Sequence, residues 1–286
     1  MPYQAEISRR NPTCLIFLID QSGSMRDPFG NETSGRSKAA FVADAINEIL
    51  NELRTVNTSG TEIKRRFYVS VIGYPKHRKS IFTRRGVDID LVPIDELDAY
   101  AELEEVIKDT GIKVQKKTWL RPKAGGDTPM CAALETAREV AQNFITGKYT
   151  ASSAAKDGRP PDTDHMNCFP PIVLHITDGE ATDGDPSYAA RGLAQVKSRD
   201  GNVLLFNLHC SCVRANPVSF PDTDLVLPDF YAKQLFYMSS IIPENMIRQA
   251  KEKRNTSLQS GARGFVFNSN MSTVVSFLKI GTTYGV

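Results

Sequence analysis

Three short segments of the chain carry oxygen donors in a pattern that suits a hard cation. In Asp20-Gln-Ser22-Gly-Ser24-Met, a carboxylate and two hydroxyls fall at every second position, on residues small enough for a tight turn to aim all three oxygens at one spot. A second carboxylate, Asp178, follows directly on the apolar run Ile172-Val-Leu-His-Ile-Thr177 and precedes Gly179. Between them in the sequence lies Ala124-Gly-Gly-Asp127-Thr128-Pro129-Met, where the glycines permit close backbone approach, Thr128 offers a hydroxyl, and Pro129 suits a first helical turn. The donors are all oxygens, a set that suits Mg²⁺, the expected occupant, and equally admits Ca²⁺ or Mn²⁺ without choosing among them.

These segments can meet only if the elements before them end at one edge. Cys14-Leu-Ile-Phe-Leu-Ile is a continuous apolar run ending at Asp20, as expected of a strand covered on both faces. After it, Ala39, Val42, Ala43, Ile46, Ile49, Leu50 and Leu53 recur at helical spacing over about 36–56, completing strand, loop and helix. Further strand-like runs occupy 67–74, 172–176, 203–209 and, more weakly, 264–267. Helical patterns fall near 95–109, 129–145, 187–198, 229–252 and 271–280. This alternation predicts an α/β fold, a doubly wound and mostly parallel sheet with helices on both faces. In such a sheet, ligands sit beyond the carboxyl ends of the strands, where Asp20 and Asp178 fall. Segments 147–171 and 213–228, rich in proline, read as irregular loops within a single domain of 1–286 whose core runs from about 12 to 280.

Taken together, the Asp-x-Ser-x-Ser motif, the distant Thr and the distant strand-end Asp resemble the von Willebrand factor A domain with its metal-ion-dependent adhesion site. The match falls at Asp20, Ser22, Ser24, Thr128 and Asp178, over roughly residues 12 to 280. The spellings Asp20-Gln-Ser-Gly-Ser-Met and Thr177-Asp-Gly-Glu-Ala-Thr-Asp183 are similar to an intracellular bacterial branch, the tellurite-resistance-associated TerY-like proteins. The resemblance implies a metal-dependent assembly module: serines and threonine bind the ion directly, the aspartates directly or through water, and another protein supplies an Asp or Glu carboxylate to an open position. Asp127 beside Thr128 is a departure from the family pattern, a carboxylate that either tunes the ion's charge or points to solvent.

Other chemistries fit less well. A haloacid-dehalogenase-type phosphatase also places an aspartate after its first strand and uses Mg²⁺, but it needs a second carboxylate two residues on, where Ser22 stands. Residues 64–85 hold eight basic side chains, Lys64, Arg65, Arg66, Lys76, Arg78, Lys79, Arg84 and Arg85, and no acidic one, which keeps nucleic acid as an alternative partner. His209-Cys210-Ser-Cys212 with His165 and Cys168 matches no standard zinc spacing, and ordinary thiols are the expectation. His175, within an apolar strand, and Trp119 read as core. No Ser-His-Asp, Cys-His or phosphate-cradling loop stands out, and Gly125-Gly126-Asp127-Thr128 lacks a P-loop lysine, so no enzymatic activity is expected.

Composition is consistent with a large folded core, at 41% hydrophobic and 24% charged residues over 286 positions. A net charge of only +2 commits the chain to neither nucleic acid nor an anionic membrane. No run approaches the roughly 20 apolar residues that span a bilayer, and the first residues lack a signal-like pattern, which makes a cytosolic location the expectation. Five cysteines fit a reducing compartment better than a disulfide framework.

Overall fold

The computed structural model describes residues 2–29, 35–75, 79–84, 87–107, 113–149, 164–252 and 258–269. The chain opens with β1 (Thr13–Asp20), a 3₁₀ turn at Gly23–Arg26 and α1 (Lys38–Val56). There follow β2 (Thr58–Ser59), β3 (Glu62–Ile63), β4 (Phe67–Tyr74), β5 (Lys79–Ser80), β6 (Thr83–Arg84), β7 (Val87–Asp88) and β8 (Val92–Pro93). A 3₁₀ segment at Ile94–Tyr100 leads into the hairpin of β9 (Glu102–Ile107) and β10 (Lys113–Thr118), then α2 (Met130–Thr146). The second half alternates β11 (Ile172–Thr177), α3 (Pro186–Gln195), β12 (Leu204–His209), β13 (Val218–Ser219), α4 (Phe230–Met238), α5 (Glu244–Glu252) and β14 (Phe265–Phe267).

The main sheet has the order β13-β14-β12-β11-β1-β4-β5, with β8 also paired to β4. Its five central strands are parallel, and β13, β5 and β8 pair antiparallel at the edges. This is the doubly wound α/β fold. The chain leaves β1 toward β4 on one side and leaves β11 toward β12 on the other, so the switch point lies between β1 and β11.

Strand β1 is buried along its whole length because its side chains alternate between two cores. Leu15, Phe17 and Ile19 pack with residues of α1 and α5, including Val42, Ile46 and Ile247. Cys14, Ile16 and Leu18 pack with α2, α3 and α4 through residues such as Leu134, Leu193 and Leu235. Helix starts carry their own caps. Ser37 Oγ accepts from Ala40 N at 3.2 Å, Asp185 from Ser187 N at 2.9 Å with Pro186 at N1, and Asp229 from Ala232 N at 2.8 Å.

Three expectations are corrected. The helix expected over 95–109 is a 3₁₀ segment followed by β9, because β9 meets its charge partners on β10: Glu104 stands opposite Lys116, and Lys113 pairs with Glu105 at 2.7 Å. The helix expected over 229–252 is two helices, since Pro243 has no N–H to donate and the preceding residues run extended. There Ser240 N bonds Leu205 O, and Ile241 bridges Arg263. The loop expected over 213–228 contains β13, which closes the sheet edge beside β14. The helix expected near 271–280, and 150–163 of the long loop, lie outside the described residues.

Candidate metal centre

The register of the sheet brings the two aspartates together. Ile19 is level with Ile176, so Asp20 ends β1 beside Thr177, and Asp178 stands one residue further on. Asp20 is 1% exposed, and its carboxylate is held on both oxygens: Oδ1 accepts from Ser22 N and Oδ2 from Thr177 Oγ1, each at 2.8 Å. Burial foremost, then the charge of Asp178, pushes the Asp20 carboxyl up to about 6, against the pull of the bonds from Ser22 and Thr177.

The turn after Asp20 places the hydroxyls of Ser22 and Ser24 at 3.0 Å from each other, Ser22 buried and Ser24 exposed. The segment carrying Thr128 is stitched to that turn by backbone bonds, Gly125 N to Gln21 O at 2.7 Å and Gly23 N to Gly126 O at 3.1 Å. Such contact needs Gly125 and Gly126, at φ +154° and +101°, conformations that L side chains rarely adopt. Thr128 is buried, and it exchanges two bonds with Thr182, N to Thr182 Oγ1 at 3.1 Å and O from Thr182 N at 2.9 Å. Asp183 then caps α2, accepting from Cys131 N and Ala132 N at 3.0 and 2.9 Å. Asp127 is exposed and belongs to none of these bonds.

Asp178 is held from two sides that spacing alone does not reveal. Its backbone oxygen accepts from His209 Nε2 at 2.8 Å, and its Oδ2 pairs with Lys38 Nζ at 3.1 Å. Lys38 opens α1, yet its side chain is only 2% exposed, against 10% for Asp178. Burial works against the ammonium, but Asp178 and the Cys212 thiol outweigh it and hold the Lys38 pKa above its usual value.

Beneath the carboxylates, a row of polar side chains crosses the sheet from β4 to β12. His175 is fully buried, and burial lowers its pKa to about 4, against the support of Asn207. Asn207 Nδ2 donates to Ser239 Oγ at 2.9 Å and to Leu235 O at 3.2 Å, so its Oδ1 accepts from His175 Nδ1 at 2.8 Å. The other ring nitrogen then accepts from Tyr74 Oη at 2.7 Å. His175 is therefore a core histidine with a single tautomer, and Trp119 is core too, its Nε1 donating to Leu97 O at 2.9 Å.

The donor set fits a hard divalent cation. Asp20, Asp178 and Lys38 carry a formal net charge of −1 in one buried patch, an excess that an incoming cation relieves, and the remaining donors are neutral hydroxyls. Among the described residues, no three His, Cys, Asp or Glu side chains gather as a metal cluster. His209 lies at the carboxyl edge of the sheet, whereas Cys168 and His165 lie at the other end, next to Phe169, whose oxygen accepts from Thr13 at the start of β1. His165 is bonded to Tyr149 at 2.8 Å. In the basic segment, Arg65 is paired to Asp95 at 2.8 Å and Glu96 at 3.0 Å. Lys76, Arg78 and Arg85 lie outside the described residues.

Fold and site thus define a doubly wound α/β domain with carboxylates and hydroxyls gathered at its switch point. No family model and no curated protein matches the chain. Among solved structures, it is similar to proximal thread matrix protein 1 from the mussel byssus, with 16% identity over 96% of this chain and 48% of that one, at a TM-score of 0.44. A further structure of that protein is described as having a zinc-occupied MIDAS motif. The manganese-loaded Plasmodium vivax TRAP protein is similar at 13% identity, covering 96% of this chain and 74% of that one, with a TM-score of 0.48. A von Willebrand factor type A structure from Catenulispora acidiphila gives 13% identity, 96% and 43% coverage, and a TM-score of 0.44. The chain spans about half the length of the mussel protein.

Proposed function

We propose that this chain is a single von Willebrand factor A-like interaction domain that holds a divalent cation, Mg²⁺ by preference, through Asp20, Ser22, Ser24, Thr128 and Asp178. The observation that carries the reading is the pair of strand-end aspartates, Asp20 buried and Asp178 partly so, with excess negative charge beside hydroxyls that offer oxygen and no compensating charge. When bound, a Mg²⁺ ion supplies an electrophilic point of attachment for one further oxygen ligand. A partner protein fills that position with an Asp or Glu carboxylate, and the surrounding loops decide which partner fits. In this reading the role of the site is adhesion.

The chain's own residues divide the work. Thr177 and the Ser22 amide orient Asp20, the Gly125-Gly126 stitch holds the Thr128 segment against the serine turn, and His209 steadies the backbone of Asp178. The spellings shared with TerY-like proteins support a cytoplasmic role in a bacterial stress-response or defence assembly. No helix among the described residues is long and apolar enough to cross a membrane.

The test is affinity capture from the native host with wild type, Asp20→Ala and Ser22→Ala, in Mg²⁺ and in EDTA. The expected result is a partner protein captured only by wild type with Mg²⁺. Capture that survives either substitution or EDTA refutes the reading, and enrichment of nucleic acid in place of protein promotes the basic segment 64–85 instead.

A further inference from the structure

The charge balance of the site contains one element that a hydroxyl-and-carboxylate centre does not require. Lys38 lies on the same face of α1 as Val42, Ala45 and Ile49, all buried, yet its ammonium reaches Asp178 Oδ2 at 3.1 Å with its side chain 2% exposed. A lysine in that setting loses most of its hydration, and a shorter or apolar residue would fill the same helix position at less cost. Its partners are both at the centre: Asp178, and Cys212, whose thiol lies against the ammonium at the exposed rim and reaches toward Asp27 Oδ2 at 3.9 Å.

We propose that Lys38 is a built-in counter-charge that keeps the cation-loaded centre net positive, weakening its hold on the metal while strengthening its hold on an anionic ligand, a carboxylate from a protein partner. The inference rests on the metal-site reading above and deepens it. Asp20, Asp178 and Lys38 together carry −1, so a divalent cation leaves the patch at +1; without Lys38 the corresponding values are −2 and zero. A neutral loaded centre attracts a carboxylate only through the local field of the ion. A centre at +1 adds a monopole, and in a buried patch that charge is screened little by salt. Because Lys38 occupies one oxygen of Asp178, it also competes with direct binding of that oxygen to the ion.

The experiment measures Mn²⁺ as probe metal, its free concentration read by electron paramagnetic resonance, in the full chain as wild type, Lys38→Met, Lys38→Arg and Asp20→Ala, each checked for folding by circular dichroism. Lys38→Met tightens Mn²⁺ by at least about tenfold, as expected for removing a like charge from a poorly screened site. Lys38→Arg stays within a few-fold of wild type. Acetate is then added as a carboxylate probe. By linkage it tightens Mn²⁺ in wild type and does so less in Lys38→Met. Weaker or unchanged Mn²⁺ binding in a folded Lys38→Met overturns the proposal and makes Lys38 a structural strut. If Lys38→Met does not fold, Lys38→Gln, which keeps a donor for Asp178, carries the same expectations and the same refutation. Absence of Mn²⁺ binding in wild type, or binding equal in wild type and Asp20→Ala, is a different failure: it refutes the metal-site reading itself.

Discussion

Replacing Asp20 by Asn separates the fold's interest from the site's. The Asp20 carboxyl stands at about 6 in the folded chain against 3.8 ordinarily, so the folded state binds its proton more tightly than the unfolded state does. The sign follows: this stabilisation is fully present below about pH 3.8 and is lost as pH rises through about 6. Above that, the buried charge costs the metal-free protein about 3 kcal/mol, two units at about 1.4 kcal/mol each. Asparagine keeps an oxygen for Ser22 N but presents an amide to Thr177, whose hydroxyl loses its acceptor, a deduction of about 1 kcal/mol. The expected net gain is about 2 kcal/mol at pH 7.5 in EDTA, or about 4 °C in melting temperature for a chain of this size. Thermal melts in EDTA across pH 4 to 8 read it directly, and the gain shrinks to nothing or reverses near pH 4, where wild type is protonated. In millimolar Mg²⁺ the order inverts, because wild type gains stability from binding and Asp20→Asn does not. An Asp20→Asn protein less stable than wild type in EDTA at pH 7.5 would refute the charge argument.

Other substitutions probe the parts that hold the centre. Asn207→Ala strips partners from His175 Nδ1 and Ser239 and is expected to cost about 3 kcal/mol by chemical denaturation, with the loss no greater in EDTA than in Mg²⁺. His175, held at about 4 against 6.5 ordinarily, supplies stability that is present above pH 6.5 and lost as pH falls through about 4; His175→Leu removes that slope, measured as melting temperature against pH in EDTA. Gly179→Ala forces a methyl to within 2.8 Å of Tyr231 Cβ and 2.9 Å of His209 Nε2 at φ +106°, and is expected to destabilise by about 2 kcal/mol and to weaken Mn²⁺ binding more than a surface substitution of equal cost. Glu104→Lys places like charges opposite Lys116 in the β9-β10 hairpin and is expected to cost under about 1 kcal/mol while leaving metal binding unchanged in the Mn²⁺ titration.

The parts of the fold legible in the sequence are those whose signal is local. Cys14 to Ile19 reads as a two-sided strand because both faces of β1 are covered, and the helix beginning near residue 36 is marked by periodic apolar residues. The hairpin of β9 and β10 was not legible, since Glu102-Leu-Glu-Glu-Val-Ile is made a strand by charges on the next strand, Lys113 against Glu105 and Lys116 opposite Glu104. The break between α4 and α5 was marked by Pro243, but the stretch before it is extended because Leu205 and Arg263 pair with it, and neither is near in sequence. At the centre, Asp20 and Asp178 were legible as strand-end carboxylates, and the register puts them together. Lys38 was not: a charged residue at a helix start reads as solvated, and only its burial against Asp178 reveals its partner.

The adjacency of β1 and β11 makes the sheet a ruler. Neighbouring strands stand roughly 4.8 Å apart, a spacing set by backbone hydrogen bonds and indifferent to side chains. The gap between the carboxylate-bearing strand ends is therefore a property of the peptide group, and loop substitutions cannot stretch it. The connections leaving the two strands run to opposite sides of the sheet, toward α1 and β4 from one and toward α3 and β12 from the other. The gauge between the two aspartates stays constant, while Lys38 from one wall reaching Asp178 on the other, and the Thr128 segment bonded to both, carry a change of charge or shape in either wall across it.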